Sequence, residues 1–169
     1  MSIKPHLLLI IGLTIANSAL AGCNSAIPQT TPNRVFILHA DGTVTHNTTG
    51  LIWMRCLLGQ TWSDTTCNGT AQIYQWWGAL QMADSYTFAG YSDWRLPNKN
   101  ELASIIEEAC HDPAINTLAF PVWERSIVWS SSPSAGNSNS AWLAVFDDGR
   151  VATNDKKNSY YVRLVRGGQ

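Results

Sequence analysis

Apolar residues recur in this chain as short bursts between polar turns, and their spacing changes period twice. Val35-Phe36-Ile37-Leu38 is a compact apolar run, Asp41-Gly42 is a hairpin signal, and Thr43-Val44-Thr45 resumes in strict alternation. Asn47 to Gly50 forms a second turn signal before the strand-like Leu51-Ile52-Trp53-Met54. A β-rich entry follows. The period then becomes helical: Ile73, Trp76, Trp77, Leu80 and Ala83 share one side of a helix expected from about Ala71 to Ser85. Leu102, Ile105, Ile106 and Ala109 repeat the pattern in a second helix, with Cys110 expected at its end. Its start is written residue by residue, since Asn98 can accept from first-turn N–H groups and Glu101 can reach back to close a capping box. Strand patterns return at Ile127 to Ser131, at Ala141 to Phe146 and at Arg150 to Ala152, and Tyr160 to Val165 closes the chain. These elements predict an α+β domain of two helices packed on short antiparallel strands.

The first 22 residues read as a leader rather than as fold. Lys4 and His6 precede an apolar run from Leu7 to Ile15, too short to span a bilayer but suited to a signal peptide. The run ends in Leu20-Ala21-Gly22-Cys23, which resembles the lipobox of bacterial lipoproteins, in which the cysteine becomes the acylated first residue. Cys23 is therefore the expected lipidation site, and residues 23–33, with Pro28 and Pro32 among Ser and Thr, are the expected tether. Asn24, rather than aspartate, follows the cysteine, which by resemblance to the usual sorting rule implies an outer-membrane lipoprotein; the cell surface is the expected face, with the periplasmic face as the alternative. The folded domain is expected from Arg34 to Gln169, large enough for one core.

Composition narrows the function classes. Of 169 residues only 14% are charged, the formal net charge is −1, and eight are tryptophan. That balance offers no electrostatic footprint for nucleic acid and suits an extracytoplasmic domain rich in aromatic surface. With Cys23 used for lipid, three cysteines remain for an oxidising compartment, giving one bridge and one odd thiol. Cys56 with Cys67 is the favoured pair, leaving Cys110 buried and free, although Cys110 has either of them as an alternative partner. Among the histidines, His39, His46 and His111 are scattered, and no motif gathers the oxygens a hard cation needs, so neither metal nor cofactor is expected.

Between the two helical patterns lies Gly90-Tyr91-Ser92-Asp93-Trp94-Arg95-Leu96-Pro97, a turn glycine leading into a large aromatic, a guanidinium and a proline. Trp94 is expected to pack under this joint, with Arg95 laid along aromatic surface and paired to a carboxylate. Together with Gly50-Leu51-Ile52-Trp53, Gly59-Gln60-Thr61-Trp62, Glu101-Leu102, Trp129-Ser130-Ser131-Ser132, Ala141-Trp142 and Val162-Arg163-Leu164-Val165-Arg166, the joint resembles the Lcl C-terminal domain-like family. That family is named for the terminal domain of a bacterial collagen-like adhesin, and the likeness runs from Arg34 to Gln169. A more distant likeness is to the C-type-lectin and formylglycine-enzyme-like superfold. The resemblance implies adhesion or ligand binding at a bacterial surface. Unlike the adhesin, this chain has neither a Gly-X-Y tract nor a basic excess.

The candidate binding residues lie in two late polar loops. Asn137 and Asn139 occupy the first, and Asp155, Lys157, Asn158 and Tyr160 the second, a mixture that pairs adaptable hydrogen bonding with rigid aromatic area. Trp123 and Trp62 are further stacking candidates. The expected activity is thus non-enzymatic recognition of a glycan or surface-protein ligand, the membrane being touched only through the lipid. The alternative is an enzyme of the formylglycine-enzyme-like superfold, motivated by a spare Cys110 thiol beside His111.

Overall fold

The computed structural model describes residues 22–121 and 126–167. The leader up to residue 21 and Trp123 lie outside the described residues. The fold is α+β, built mostly from strands with two helices.

Strand β1 (Gly22–Cys23) comes first, followed by β2 (Phe36–Leu38), β3 (Thr43–His46) and β4 (Leu51–Met54), the last three falling where the hydrophobic runs predict them. They pair antiparallel in register, with Ile37 opposite Thr45 and Val44 opposite Trp53. Gly42 sits at a φ of 85° in the β2–β3 turn, a left-handed conformation that L side chains rarely adopt. A Cβ there would also lie 2.6 Å from the Trp62 ring, so this glycine is fixed twice over. Next come the hairpin β5 (Thr61–Ser63) and β6 (Thr66–Asn68), and the predicted Cys56–Cys67 disulfide closes its base.

The first helix is shorter than its periodicity suggests. Residues 73–75 form strand β7 (Ile73–Gln75), and α1 runs only over Trp76–Asp84. β7 is held by pairing rather than propensity: Tyr74 lies opposite Tyr160 of β12 (Ser159–Tyr161). The periodic face also splits, because Trp76, Ala79 and Ala83 are buried while Ile73 and Trp77 are 56% and 62% exposed.

The second helix, α2 (Lys99–Ala103), opens with the predicted capping box, Asn98 accepting from Asn100 and Glu101 N–H and Glu101 accepting from Asn98 N–H. It stops after five residues. Ser104 N–H and hydroxyl both turn back to Glu101 C=O, and Ile105 and Ile106 N–H bond three residues back, tightening the chain out of the α-helix. Ile105, Ile106 and Ala109 are buried as expected, but from irregular backbone. Cys110 consequently lies not at a helix end but in strand β8 (Cys110–His111), paired with β1.

The joint before α2 behaves as the sequence predicts. Gly90 has a φ of 79°, Trp94 is buried, and Arg95 makes a two-pronged pair with Glu101 at 2.7 and 2.8 Å. The aromatic stacking expected of Arg95 is instead made by Arg166, whose guanidinium lies 3.7 Å from the Tyr91 ring centre.

The second half supplies β9 (Ile127–Pro133), β10 (Ser140–Val145) and β11 (Arg150–Asp155), which order as β11-β10-β9-β12-β7 in a five-stranded sheet. The closing strand expected over Tyr160 to Val165 is two strands in different sheets, β12 here and β13 (Val165–Arg166) beside β4. Residues 162–164 cross between them, their carbonyls accepting from Leu58 and Met54 N–H. Arg163 rides in this crossing wholly buried, donating to Met54 and Arg55 C=O with its head over Phe120. Burial pushes its pKa down to about 9, so it stays charged at neutral pH.

The expectation of a single core needs correcting. Two apolar clusters lie on opposite faces of β9 and β10: Val128, Ala144, Trp53 and Phe120 belong to one, and Trp129, Leu143, Val145, Trp76 and Trp94 to the other. Alternate strand residues point to opposite faces, so a strand buried on both sides builds two cores at once.

The N-terminal segment also departs from the expectation. Cys23 is bonded to Cys110, so Cys110 is not the free thiol that the sequence suggests. Nor are residues 23–33 a free tether. Asn24 N–H bonds Ala109 C=O, Thr31 is buried, and the Glu107 carboxylate accepts from Thr30 and Thr31 N–H at 3.0 and 2.8 Å. Asn116 Nδ2 then donates to Thr31 C=O and to Asn33 Oδ1.

Candidate functional site

The two polar loops singled out by sequence do meet, and the residue that joins them is Lys156. The turn between β11 and β12 holds Asp155, Lys157 and Asn158; Asp155 Oδ1 accepts from Lys157 N–H, and Asp155 C=O accepts from Asn158 N–H. The turn between β9 and β10 holds Asn137 and Asn139, where Asn137 Oδ1 accepts from Asn139 N–H and Asn137 C=O from Ser140 N–H. Lys156 N–H donates to Asn139 C=O at 2.9 Å, and Lys156 Nζ donates to Ser138 C=O at 2.7 Å.

A third element arrives from the other half of the chain. Trp76 N–H, one of the orphan donors at the start of α1, is satisfied by Lys156 C=O at 3.1 Å. Trp76 Nε1 donates to Ser130 C=O, which locks the buried indole onto β9. Trp77 packs edge-on against it, 4.7 Å between ring centres and 69° between planes. The Lys156 ammonium lies 4.4 Å from the Trp76 ring and 5.5 Å from the Trp77 ring. Such a cation over aromatic faces is attracted by the ring quadrupole, which helps hold the lysine without a carboxylate.

The result is a firm platform. Trp77 stands in solvent against Trp76 with the Lys156 ammonium 5.5 Å from its ring, and Lys156 in turn ties in the loop that carries the exposed amides Asn137 and Asn139. Chemically it offers a flat apolar face with hydrogen-bond donors and acceptors at its border. None of these side chains forms an acid–base pair or a nucleophile with its base.

Tyr160 is placed differently. Its ring meets Trp129 edge-on at 5.0 Å and its hydroxyl accepts from Asn154 Nδ2, so it packs against the second core rather than standing free. Asn154 Oδ1 in turn accepts from Asn158 Nδ2, tying that amide to the same scaffold. Trp62 is also a packing residue: Arg55 lies 4.0 Å over its ring and its Nε1 donates to Ala40 C=O.

The residues that sequence reasoning missed are Trp77 and Lys156. Trp77 falls on the apolar stripe with Trp76, yet it is exposed where Trp76 is buried. Lys156 was legible as part of a polar loop, but its contacts are long-range. Among the described residues no group of three or more His, Cys, Asp or Glu side chains gathers as a metal site. His111, read beside a spare thiol, has its Nδ1 at 3.3 Å from Asp112 Oδ2, and the neighbouring Cys110 sulfur is in the disulfide.

Comparison with known families gives one finding, and no curated protein matches the chain. The match to the Lcl C-terminal domain covers residues 42–166, which includes the Gly90–Pro97 joint, both loops and the closing segment through β13. It starts after β2 and leaves out the docked N-terminal strap. Because it spans most of the chain, the protein belongs to the Lcl C-terminal domain family.

Proposed function

We propose that this protein is a non-enzymatic binding module displayed at a bacterial surface, which recognises its ligand on the Trp77–Lys156 platform. Family membership supports the coarser part of this reading, a surface or adhesin-related module. The single observation that carries the finer part is Trp77, 62% exposed yet held at 4.7 Å against a buried neighbour. An indole left in water forgoes about 1.5–3 kcal/mol of burial free energy available to large apolar side chains, which a ligand can recover by covering it. Its border of amides and one cation suits the hydroxyl-rich edge of a sugar ring better than a purely apolar partner. Glycan recognition is therefore the preferred mode, and a protein ligand is the second.

Two helices among strands that pair antiparallel except where β12 runs parallel beside β9 also support the C-type-lectin-like reading of the fold. Of the two motives for the enzyme alternative, the thiol beside His111 is taken up when Cys110 is paired with Cys23, and the distant superfold likeness remains. A printed array of glycans and surface proteins, probed with the folded chain lacking its leader, tests the proposal. Selective binding to a glycan class is expected. Binding to neither set, or binding that Trp77→Ala leaves intact, contradicts it.

A further inference from the structure

The docked N-terminal strap raises a question of covalent chemistry. The Cys23 sulfur sits in a motif that resembles an acylation site, yet in the fold it is joined to Cys110 across the β1–β8 pair. One sulfur cannot be both a thioether to lipid and half of a disulfide. We propose that Cys110 controls the fate of Cys23: pairing staples the strap to the domain and removes the thiol that a lipid donor would modify. This rests on reading Cys23 as a lipid-accepting cysteine and is independent of the Trp77 platform.

Pairing is favoured by everything around the sulfurs. Gly22 lies opposite His111 and Cys23 opposite Cys110, and Asn24 N–H donates to Ala109 C=O at 2.7 Å, so the strap approaches as a strand with its backbone satisfied. Close approach is required at Gly22, where a Cβ would fall 2.4 Å from the His111 ring. Further along, Glu107 gathers Thr30 and Thr31 by backbone and hydroxyl, a second fastening that does not involve sulfur. The two thiols are thus delivered to each other by the fold.

The electron balance needs one partner. Joining the two thiols releases two protons and two electrons, which pass by exchange to a protein disulfide that leaves as a dithiol. Lipidation is instead a displacement: the Cys23 sulfur forms a carbon–sulfur bond to an activated lipid donor, the donor's carbon–oxygen bond breaks, the departing oxygen takes that electron pair and the thiol proton, and Cys110 stays reduced. The two products differ in reach. In the stapled form the strap lies on the domain; in the acylated form the Glu107 latch still holds residues 30 and 31, so only residues 24–29 extend freely. Six extended residues span roughly 20 Å, which would hold the platform-bearing domain close to the bilayer.

The experiment uses the full chain expressed in a bacterial host with a labelled fatty acid, followed by non-reducing peptide mapping of membrane and soluble fractions. The parent is expected to yield a Cys23–Cys110 linked peptide in its unlabelled pool, and Cys110→Ala to raise acyl label on Cys23 at least twofold. Because Cys110→Ala can weaken the fold, the parent is also made in a host lacking the disulfide donor, where label should rise equally. Label on Cys23 that is unchanged in both arms overturns the proposal. So does parent protein whose Cys23 is wholly acylated while Cys110 is reduced in every fraction.

Discussion

Glu107 shows how one side chain can fasten a segment whose own sequence looks like a linker. It is buried and yet ionised in character: burial alone pushes its pKa up, but N–H donors from Thr31, Thr30 and Ala109 outweigh that and bring it below the usual glutamate value. His46 moves in the related sense, its pKa lowered because burial disfavours the charged ring. Both shifts make the folded state bind fewer protons than the unfolded chain, so stability is retained above the unfolded values and lost as pH falls. For His46 the loss begins below about pH 6.5 and for Glu107 below about pH 4.5. Denaturant unfolding at pH 7 and pH 4 should therefore show a lower midpoint in acid. Glu107→Gln should be less stable than the parent at pH 7 and should lose less of its stability below pH 4.5. A parent-like acid loss in that variant would remove Glu107 as the latch.

At the scale of elements, the cap of α2 was fully legible while its length was not. Asn98 and Glu101 state a helix start in four residues, because capping is a local exchange of hydrogen bonds. The end is set by Ser104 turning back on Glu101 and by Ile106 bridging Ile115, the latter a contact nine residues on. The same division explains α1. Its apolar period is real, but β7 is decided by Tyr160, far along the chain, and the split of the closing strand is decided by which sheet each half reaches. Strands β2 to β4 and β9 to β11 could be read directly because hairpin partners lie adjacent in sequence. Asn98→Ala is expected to cost about 1 kcal/mol, as loss of a cap does. A thermal melt should record it as a modest decrease.

At the scale of the whole molecule, two cores share the β9–β10 pair, and the candidate site sits where the edges of the second core reach solvent. Loop composition pointed to Asn137, Asn139, Asp155, Lys157 and Asn158, and the structure gathers their loops around Lys156. It also shows that the expected aromatic anchor, Tyr160, is a packing residue and that Trp77 takes the exposed position. Composition can nominate a polar surface, whereas the choice of exposed ring depends on strand pairing across the chain. The N-terminal strap was misread for a similar reason: Ser, Thr and Pro look like a tether until Glu107 and Asn116 supply their partners.

The central claim is that Trp77 binds ligand without holding the fold together. The most direct measurement is a calorimetric isotherm with the strongest glycan from the array, run beside a thermal melt, for the parent and for Trp77→Ala. Exposed positions usually move stability by less than about 0.5 kcal/mol, so the melting temperature should stay near that of the parent. Loss of an aromatic anchor should weaken binding at least about tenfold, equivalent to about 1.4 kcal/mol. A Trp77→Ala protein that melts normally and binds as tightly as the parent would contradict the account.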